Sequence, residues 1–326
     1  MRKLYRLLAA LVLASAALPA FAQGYPAKAV HLVVTFPPGG STDAIARILS
    51  PSLAERLGQP VIVDNRPGGG GGRGNIGATF VTRAAPDGYT LLIAGNNAFY
   101  TLSTAPGAPP PYDPVKDFTP ITLLVTGPRQ ITVDPAVLPV HSITELVPIL
   151  KAKPGMPFGS GGQGSGMHLA GELFKQLTGA EMTHVPYKGN GPALSDLMGG
   201  QIPIAFTDLG SVTRFLRSER VRVLAVASAK RSALAPDIPT GAESGLPGWE
   251  ALGTFGLHGP AGLPLAIVRR VNADVTALLV RADIRERILA TGNEPAPMTP
   301  EEYVKFIVRE VPRWNKIARD SGQKFD

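Results

Sequence analysis

The chain has 326 residues, no cysteine and a formal net charge of +7. The lack of cysteine excludes disulfides, thiolate metal ligands, cysteine nucleophiles and lipid attachment through a cysteine. Hydrophobic residues make up 44% of the chain, which is too much for a disordered protein and enough for two cores. The basic residues form no block or stripe, so the composition argues against a nucleic-acid-binding protein.

The first 22 residues have the pattern of a secretory signal peptide. The basic residues Arg2, Lys3 and Arg6 precede an apolar run, Leu7–Leu18, which is followed by the small-x-small sequence Ala20–Ala22. The apolar run is shorter than the roughly 20 residues that a membrane span needs. We therefore predict cleavage after residue 22 and export to the periplasm, with a retained N-terminal anchor as the alternative. The remaining chain is long enough for two domains of about 150 residues each.

Strand-like and helix-like patterns alternate in the first third of the mature chain. The β-branched and apolar runs predict strands at Val30–Phe36, Val61–Asp64 and Thr90–Ala94. Apolar residues recur at helical spacing over 45–57, between the first two of these strands. Pro51 lies inside that helical pattern, so we expect a kink or a late restart of the helix there.

The same alternation continues through the middle of the chain and gives way to helices at its end. Strands are predicted at Ile131–Val133, Met182–Pro186, Ile202–Thr207 and Val221–Ala227, and helices at Ser142–Lys153, near Pro192–Met198 and from Ser211. The C-terminal helices are predicted at Leu265–Val280, Ile284–Ala290 and Pro300–Asp320. Capping patterns precede two of the helices, at Ser142 and Thr299. This order predicts an α/β protein with parallel-rich sheets and helices on both faces.

Two proline-rich and glycine-rich segments, Pro106–Pro120 and Ala235–Gly248, interrupt this pattern. If both are crossovers, the middle of the chain forms one lobe and the two ends together form the other. We place the first lobe at 23–123 and 228–326, and the second lobe at 124–227. This arrangement is that of a clamshell, in which two lobes close over a ligand.

Each predicted lobe contains a glycine-rich loop that runs from a strand into a helix. In the first lobe, Pro37–Gly40 precedes a helix that opens with Ser41, Thr42 and Asp43. In the second lobe, Phe158–Gly166 precedes a helix that starts near residue 167. The unpaired N–H groups of a helix N-terminus attract anions. Either loop alone could be purely structural, but the pair predicts an anionic ligand held from two sides.

Other motifs do not indicate catalysis or a cofactor. Gly72–Gly77 satisfies the dinucleotide pattern G-x-G-x-x-G, but the strand before it ends too early and no acidic residue follows the next strand. The chain has no Walker loop and no G-x-S-x-G elbow. His168 and Glu172 lie one helical turn apart, which is too few ligands for a metal. We therefore predict no cofactor, no metal and no catalytic residue.

The mature chain closely resembles the substrate-binding receptors of tripartite tricarboxylate transporters, also called Bug receptors. The resemblance is carried by FPPGGSTD, ERLGQPVIVDNRPG, NIGA, APDGYTLL, YDPVKDF, HLAGELF, HVPYKG, LAVASAKRS and GPAGLP, in this order over the whole mature chain. It implies a two-lobed periplasmic-binding-protein fold, type II-like, without enzymatic activity. In similar receptors two loops, here Phe36–Asp43 and Ser160–His168, hold a ligand carboxylate, partly through water. A membrane permease then receives the ligand.

The predicted ligand-binding residues come from both lobes. They are Phe36, Pro38, Gly39, Gly40, Ser41, Thr42, Asp43, Asn96, Asn97, Gly162, Gly164, Ser165, His168, Tyr187, Thr207 and Asp208. Backbone N–H groups would hold the carboxylate without a fixed countercharge, and Phe36, Phe99 and Tyr187 would form apolar walls. The pattern Phe206-Thr207-Asp208 departs from the family's frequent Phe-Asp-Asn, so either Thr207 or Asp208 could face the ligand.

The resulting hypothesis is a periplasmic receptor, acting as a monomer, for a small carboxylated metabolite that it delivers to a tripartite tricarboxylate permease. The sequence leaves the identity of the ligand open. A sensor subunit that presents its ligand to a membrane signalling protein is the first alternative. An enzyme on the same two-lobed scaffold is the second, and it would need a nucleophile–base pair or a metal cluster that the sequence does not reveal.

Overall fold

The computed structural model describes residues 24–68, 75–95, 99–100, 110–216 and 218–322. The predicted signal peptide lies outside the described residues, as do Asn96 and Asn97. The described chain contains eleven strands: β1 (Val30–Val34), β2 (Val61–Asn65), β3 (Thr90–Gly95), β4 (Phe118–Gly127), β5 (Arg129–Val133), β6 (Met156–Ser160), β7 (Met182–Pro186), β8 (Ile204–Asp208), β9 (Arg222–Val226), β10 (Gly253–Pro260) and β11 (Glu294–Pro295).

Helices connect most of these strands. They are α1 (Ser41–Leu57), α2 (Asn75–Thr82), α3 (Ile143–Ala152), α4 (Gly166–Thr178), α5 (Asn190–Met198), the short α6 (Leu209–Val212), α7 (Leu265–Leu279), α8 (Ala282–Leu289) and α9 (Pro300–Asp320). A 3₁₀ turn, Thr213–Phe215, continues α6. Within the described part of the chain, no helix is both long enough and apolar enough to cross a membrane.

Local sequence signals place several helix boundaries correctly. The Ser142 side chain accepts a hydrogen bond from the N–H of Glu145 at 3.2 Å and caps α3. Thr299 and Glu302 form the reciprocal capping box that starts α9. The late restart expected at Pro51 is absent, because α1 is one continuous helix through this residue. Proline removes one backbone donor from the helix, and the rest of the helix is held by the packing of its apolar face.

The strands form two separate sheets, one in each lobe. The first sheet has the order β11-β4-β10-β3-β1-β2, and the second has the order β7-β6-β8-β5-β9. The prediction of parallel-rich sheets is wrong, because both sheets are mixed. β10 is antiparallel to β3 and β4, and β5 is antiparallel to β8 and β9. These antiparallel pairs involve the strands that carry the chain between the lobes, which alternation of strands and helices alone does not reveal.

The chain crosses from the first sheet to the second at Pro128, between β4 and β5. The predicted boundary at 123–124 falls inside β4, because the apolar run of this strand continues to Gly127. After β9, the chain makes a parallel bridge between Val226 and Thr240 before it rejoins the first sheet at Gly253. In this return segment the Trp249 indole donates to the Ala170 carbonyl oxygen of α4 at 3.0 Å. The segment therefore packs on the second lobe before the chain leaves it.

Helices cover both faces of the first sheet. Leu32 and Val34 belong to the apolar cluster shared with α1, α7 and α8, whereas Val33 belongs to the cluster on the opposite face, with residues of α2 and α9. Successive residues of a strand point to opposite faces, so one strand contributes to both clusters. The second cluster extends into the second lobe through Phe158 and neighbouring residues. One continuous core therefore joins the two lobes behind the cleft.

Candidate functional site

A cavity of about 890 Å³ lies between the two lobes. It is lined by residues that follow β1 in the first lobe and by residues that follow β6, β7 and β8 in the second. The carboxyl ends of strands in an open α/β sheet are where ligands are usually bound. A second cavity, of about 600 Å³, lies on the second lobe around Arg222 and Leu234, away from the glycine-rich loops.

The first glycine-rich loop ends at the N-terminus of α1. Gly40 is the N-cap residue, and no side chain caps this helix. Ser41 and Thr42 line the cavity, and no described residue accepts a hydrogen bond from their backbone N–H groups. Gly39 has a φ of +87°, which favours glycine. This loop therefore presents free backbone donors and the positive end of a helix dipole to the cavity.

Asp43 supports the first loop from behind and does not line the cavity. Its carboxylate accepts hydrogen bonds from the Gly39 N–H at 2.9 Å, from the Arg47 guanidinium and from the Asn65 side chain. The Arg47 hydrogen bond is the main reason why the pKa of Asp43 is lowered to about 2. In this arrangement the ionised carboxylate fixes the loop.

The second glycine-rich loop approaches the cavity from the other lobe. Gly162, Ser165 and the first two residues of α4 line the cavity. Gly164 does not, because its N–H points away and donates to Nδ1 of His168 at 3.1 Å. His168 is fully buried. Its backbone N–H donates to the side chain of Ser165, the N-cap residue of α4. Gly164 and His168, both predicted to bind the ligand, therefore hold the loop rather than line the cavity.

A stacked pair of histidines underlies the second loop. The rings of His168 and His184 lie 3.6 Å apart between centroids, with an angle of 11° between their planes. Burial, with smaller contributions from His168 and Lys175, lowers the pKa of His184 to about 3. His184 is therefore neutral at physiological pH, and its two ring nitrogens contact Ser160 and Gln163 of the loop.

The contact between Ser160 and His184 is a nucleophile–base geometry that the sequence did not reveal. The Ser160 Oγ and the His184 Nε2 lie 2.7 Å apart. Neither residue lines the cavity, and the Ser160 side chain is also within hydrogen-bond distance of the Gly162 carbonyl oxygen. In the described conformation the hydroxyl has no access to a ligand in the cleft, so this pair acts as a support for the loop.

A third helix also directs its N-terminus at the cavity, which the sequence analysis did not identify. Gly189, with a φ of +115°, is the uncapped N-cap residue of α5 and lines the cavity together with Asn190. Tyr187 lines the cavity as predicted, and its hydroxyl donates to Asp196 at 2.8 Å. Burial and this hydrogen bond raise the pKa of Tyr187 to about 12, so the phenol remains neutral.

The end of β8 answers the question that the sequence left open between Thr207 and Asp208. Thr207 is buried within the second lobe and contacts the side chains of Gln130 and Thr132. Asp208 lines the cavity. Its carboxylate accepts a hydrogen bond from the Ser211 N–H at 2.9 Å and another from the Asn190 side chain.

Arg129 is the main cavity residue that the sequence analysis missed. It begins β5 directly after the crossover, is 8% exposed and lines the cavity. Its NH1 atom lies 3.9 Å from the Asp208 carboxylate. Burial lowers the pKa of Arg129, and Asp208 partly offsets this effect. The expectation of a cleft without a fixed countercharge is therefore wrong, since an arginine remains protonated in proteins.

The apolar walls differ in part from the prediction. Phe36 lines the cavity as predicted, together with Phe255 of β10, which the sequence analysis missed. The assignment of Phe99 as a wall is wrong, because it is buried in an aromatic cluster and stacks on Tyr112 at 5.1 Å between ring centroids. The remaining predicted residues that line the cavity are Pro38, Gly39 and Gly40.

No group of three or more histidine, aspartate or glutamate side chains in the described chain is arranged to hold a metal ion. His168 and Glu172 do approach each other, with Nε2 and Oε1 3.5 Å apart. Lys175 contacts the same Glu172 carboxylate at 3.0 Å. This carboxylate is therefore part of an ionic contact within α4.

The fold and the cavity between its lobes define the chain as a two-lobed solute-binding receptor. Residues 45–323 match the model of the tripartite tricarboxylate transporter family receptor, TctC, and the chain belongs to this family. It is 36% identical over 312 residues to protein BugT of Bordetella pertussis. This match covers 95% of the chain and 94% of BugT.

Solved structures show the same architecture. Rpa4515 of R. palustris, solved with adipate, is 36% identical with a TM-score of 0.78, and the match covers 91% of this chain and 98% of Rpa4515. MatC from Rhodopseudomonas palustris, with bound malate, is 30% identical with a TM-score of 0.74, and the match covers 90% of this chain and 99% of MatC. The periplasmic binding protein BugD is 33% identical with a TM-score of 0.75, over 92% of this chain and 99% of BugD.

Proposed function

We propose that this protein is a periplasmic receptor that binds one small carboxylate between its lobes and delivers it to a membrane permease of the tripartite tricarboxylate type. The observation that carries the proposal is the convergence of the N-termini of α1, α4 and α5 on one cavity. Three sets of backbone donors from both lobes form a site that favours a carboxylate over a neutral group. The adipate and malate bound to two relatives support the same ligand class.

The binding groups in this proposal are backbone donors of both lobes. Ser41 and Thr42 contribute N–H groups from the first lobe, and Gly166 and Met167 contribute theirs from the second. A hydrogen bond to a charged group contributes about 1.5–3 kcal/mol, so a few such bonds give useful affinity and still permit release. Phe36, Phe255 and Tyr187 would exclude water from the ligand's apolar part.

Export, oligomeric state and the absence of catalysis belong to the same proposal. The basic and apolar pattern of residues 1–22 supports a cleaved signal peptide and a periplasmic location. A monomer suits a receptor that must expose one rim of both lobes to a permease. A non-enzymatic role is supported by the position of Ser160 and His184 behind the loop, where they do not line the cavity.

Thermal unfolding in the presence of candidate ligands tests the proposal. We expect dicarboxylates, aromatic acids or amino acids to raise the melting temperature and their amides to leave it unchanged. A ligand at 100 times its Kd adds about 2.7 kcal/mol to the free energy of unfolding, which is readily detected. Equal stabilisation by acids and amides would refute the carboxylate site.

Purification of the tagged receptor with detergent-solubilised membranes tests the partner. Recovery of a permease supports the transport role, and recovery of a signalling protein supports the sensor role instead.

A further inference from the structure

The side chain of Arg129 is buried where it lines the cleft, and one of its donors has no hydrogen-bond partner in the described chain. Its Nε is inaccessible to solvent and unpaired. Asp208 is the carboxylate that lies within 4 Å, and the separation of 3.9 Å is too long for a hydrogen bond. A buried charge is costly unless hydrogen bonds compensate for the water that it has lost. This side chain therefore retains donors that a ligand can use.

Asp208 forms no hydrogen bond with this guanidinium and is held instead by donors of its own lobe. Oδ1 accepts the hydrogen bond from the Ser211 N–H, and Oδ2 accepts the one from the Asn190 side chain. The first bond makes Asp208 the N-cap of α6, and the second connects it to the start of α5. The carboxylate is thus fixed by its own lobe and is not free to move onto Arg129.

Arg129 reaches the cavity from a different strand than the donors of the first loop. It extends from the second-lobe strand β5 across Gly253 of the first-lobe strand β10, where a Cβ atom at Gly253 would lie 2.5 Å from Cζ of the arginine. Arg129, Asp208, Ser211 and Asn190 all line the same cavity as the N-terminus of α1. The cavity therefore combines the backbone donors of the helix N-termini with the positive charge of Arg129.

We infer that Arg129 binds a second anionic group of the ligand, so that the cleft selects acids that carry a negative charge at both ends. This inference rests on the proposed carboxylate receptor and assigns its specificity to one residue. The backbone N–H groups at the helix N-termini hold one carboxylate, and the guanidinium of Arg129 holds the other through bidentate hydrogen bonds. An acid with only one carboxylate leaves Arg129 buried without a hydrogen-bond partner, and this loss is the basis of discrimination.

Calorimetric titration with a series of linear dicarboxylates, from succinate to pimelate, and with monocarboxylates of the same chain lengths tests the inference. The wild-type protein is expected to prefer the best dicarboxylate at least tenfold over its monocarboxylate counterpart. Arg129→Met is expected to weaken the dicarboxylate by roughly ten- to a hundredfold and the monocarboxylate by less than about threefold. The double variant Arg129→Met with Asp208→Asn keeps the net charge of the pair at zero and is expected to show the same loss of preference.

Arg222→Met provides the matched control. Arg222 lies on the neighbouring strand β9, donates to the Val140 carbonyl oxygen at 3.0 Å and does not line the cleft. Arg222→Met removes one positive charge from the second lobe, as Arg129→Met does. A general electrostatic effect would therefore weaken binding in both of these variants. We expect the control to keep the dicarboxylate preference of the wild type.

The outcomes separate this inference from the proposed function. If the wild-type protein shows no preference for dicarboxylates, the role of Arg129 is overturned. This measurement does not depend on whether any variant folds. Equal weakening of mono- and dicarboxylates in Arg129→Met also overturns it, because Arg129 would then hold the only carboxylate. In both cases the carboxylate receptor stands. If no acid of either series binds to the wild type, the inference fails, and thermal unfolding with aromatic acids and amino acids then decides whether the proposed function fails with it.

Discussion

The guanidinium of Arg129 lies directly over Gly253. A Cβ atom at Gly253 would approach Cζ of Arg129 to 2.5 Å and NH1 to 2.9 Å. One residue starts the second-lobe strand β5, and the other starts β10, the strand with which the chain returns to the first lobe. The missing side chain at Gly253 is therefore what allows a second-lobe cation to extend over the first lobe at the base of the cleft.

Gly253→Ala is expected to reduce ligand affinity more than stability. The new methyl group displaces the end of a flexible side chain, which costs the fold little, but it moves the guanidinium away from its binding position. We expect dicarboxylate affinity to fall about tenfold, measured by calorimetric titration.

Gly256→Ala on the same strand is the matched comparison. A Cβ atom there would lie 1.6 Å from the hydroxyl of the buried Tyr303. Overpacking of this kind costs about 1–3 kcal/mol. We expect Gly256→Ala to lower the melting temperature clearly, whereas Gly253→Ala should not. The opposite order would show that the contact with Arg129 is structural.

Gly40 and Gly164, both predicted from the sequence to approach the ligand, are expected to behave differently. Gly40 lines the cavity, has an extended backbone and has room for a Cβ atom, with its nearest neighbour at 3.7 Å. Because a Cβ atom fits, Gly40→Ala should leave the ligand-free melting temperature within a few degrees of the wild type. Because Gly40 lines the cavity, the added methyl group should weaken carboxylate binding, measured by calorimetric titration.

Gly164→Ala should instead destabilise the ligand-free protein. Gly164 has a φ of +71° and donates to His168 behind the loop. A non-glycine residue in this conformation costs about 1–2 kcal/mol. Chemical unfolding measures this cost directly. An unchanged free energy of unfolding together with lost affinity would return Gly164 to the binding surface.

The approach of the two lobes depends on a contact between two glycines. A Cβ atom at Gly292 of the first lobe would lie 2.1 Å from Cα of Gly210, which lines the cavity in the second lobe. Gly210→Ala should hold the lobes apart, since its own Cβ would lie 2.4 Å from the Thr291 carbonyl oxygen. We expect small-angle scattering to show a larger radius of gyration for this variant than for the wild type at saturating dicarboxylate. Equal radii would mean that the contact does not limit closure.

The carboxylate of Asp43 should contribute to stability in a pH-dependent way. Its pKa is lowered from 3.8 to about 2, chiefly by the hydrogen bond from Arg47. Because the folded pKa lies below the unfolded value, the stabilisation is present above about pH 4 and is lost as the pH falls through 2. The difference corresponds to about 2 kcal/mol of the free energy of unfolding.

Asp43→Asn should therefore be less stable than the wild type by about 2 kcal/mol near pH 6 and by much less near pH 2, measured by urea unfolding. Asp283→Asn is the control, because Asp283 forms an exposed ion pair with Arg281 that contributes little. If Asp43→Asn and the wild type unfold alike near pH 6, Asp43 does not support the first loop.

Local patterns predicted most elements of the fold, including Met182–Pro186 and Pro300–Asp320 with unchanged bounds. They also predicted both glycine-rich loops, because a strand, a glycine-rich turn and a helix start are all encoded in neighbouring residues. The direction of the crossover strands was not predicted, because it depends on pairing between distant segments. The spacing of Asp43 and Arg47, one helical turn apart, could have indicated that this carboxylate is already paired.

Arg129 was missed for a different reason. A single arginine in a strand pattern is typical of an exposed edge, and neither of the residues that it approaches, Asp208 and Gly253, is close in sequence. Phe99 was wrongly placed for the same reason, since its partner Tyr112 belongs to a later segment. Local sequence therefore predicted which loops form the site, whereas its charge and walls depend on tertiary contacts.

The central claim is that both lobes hold one carboxylate ligand in the cleft, and a crystal structure of the protein with the tightest-binding acid tests it most directly. The account predicts one carboxylate within hydrogen-bond distance of the backbone N–H groups of Ser41 or Thr42 and of Gly166 or Met167. An acid bound outside this cavity, such as around Arg222 and Leu234, or one that contacts a single lobe, would contradict the claim.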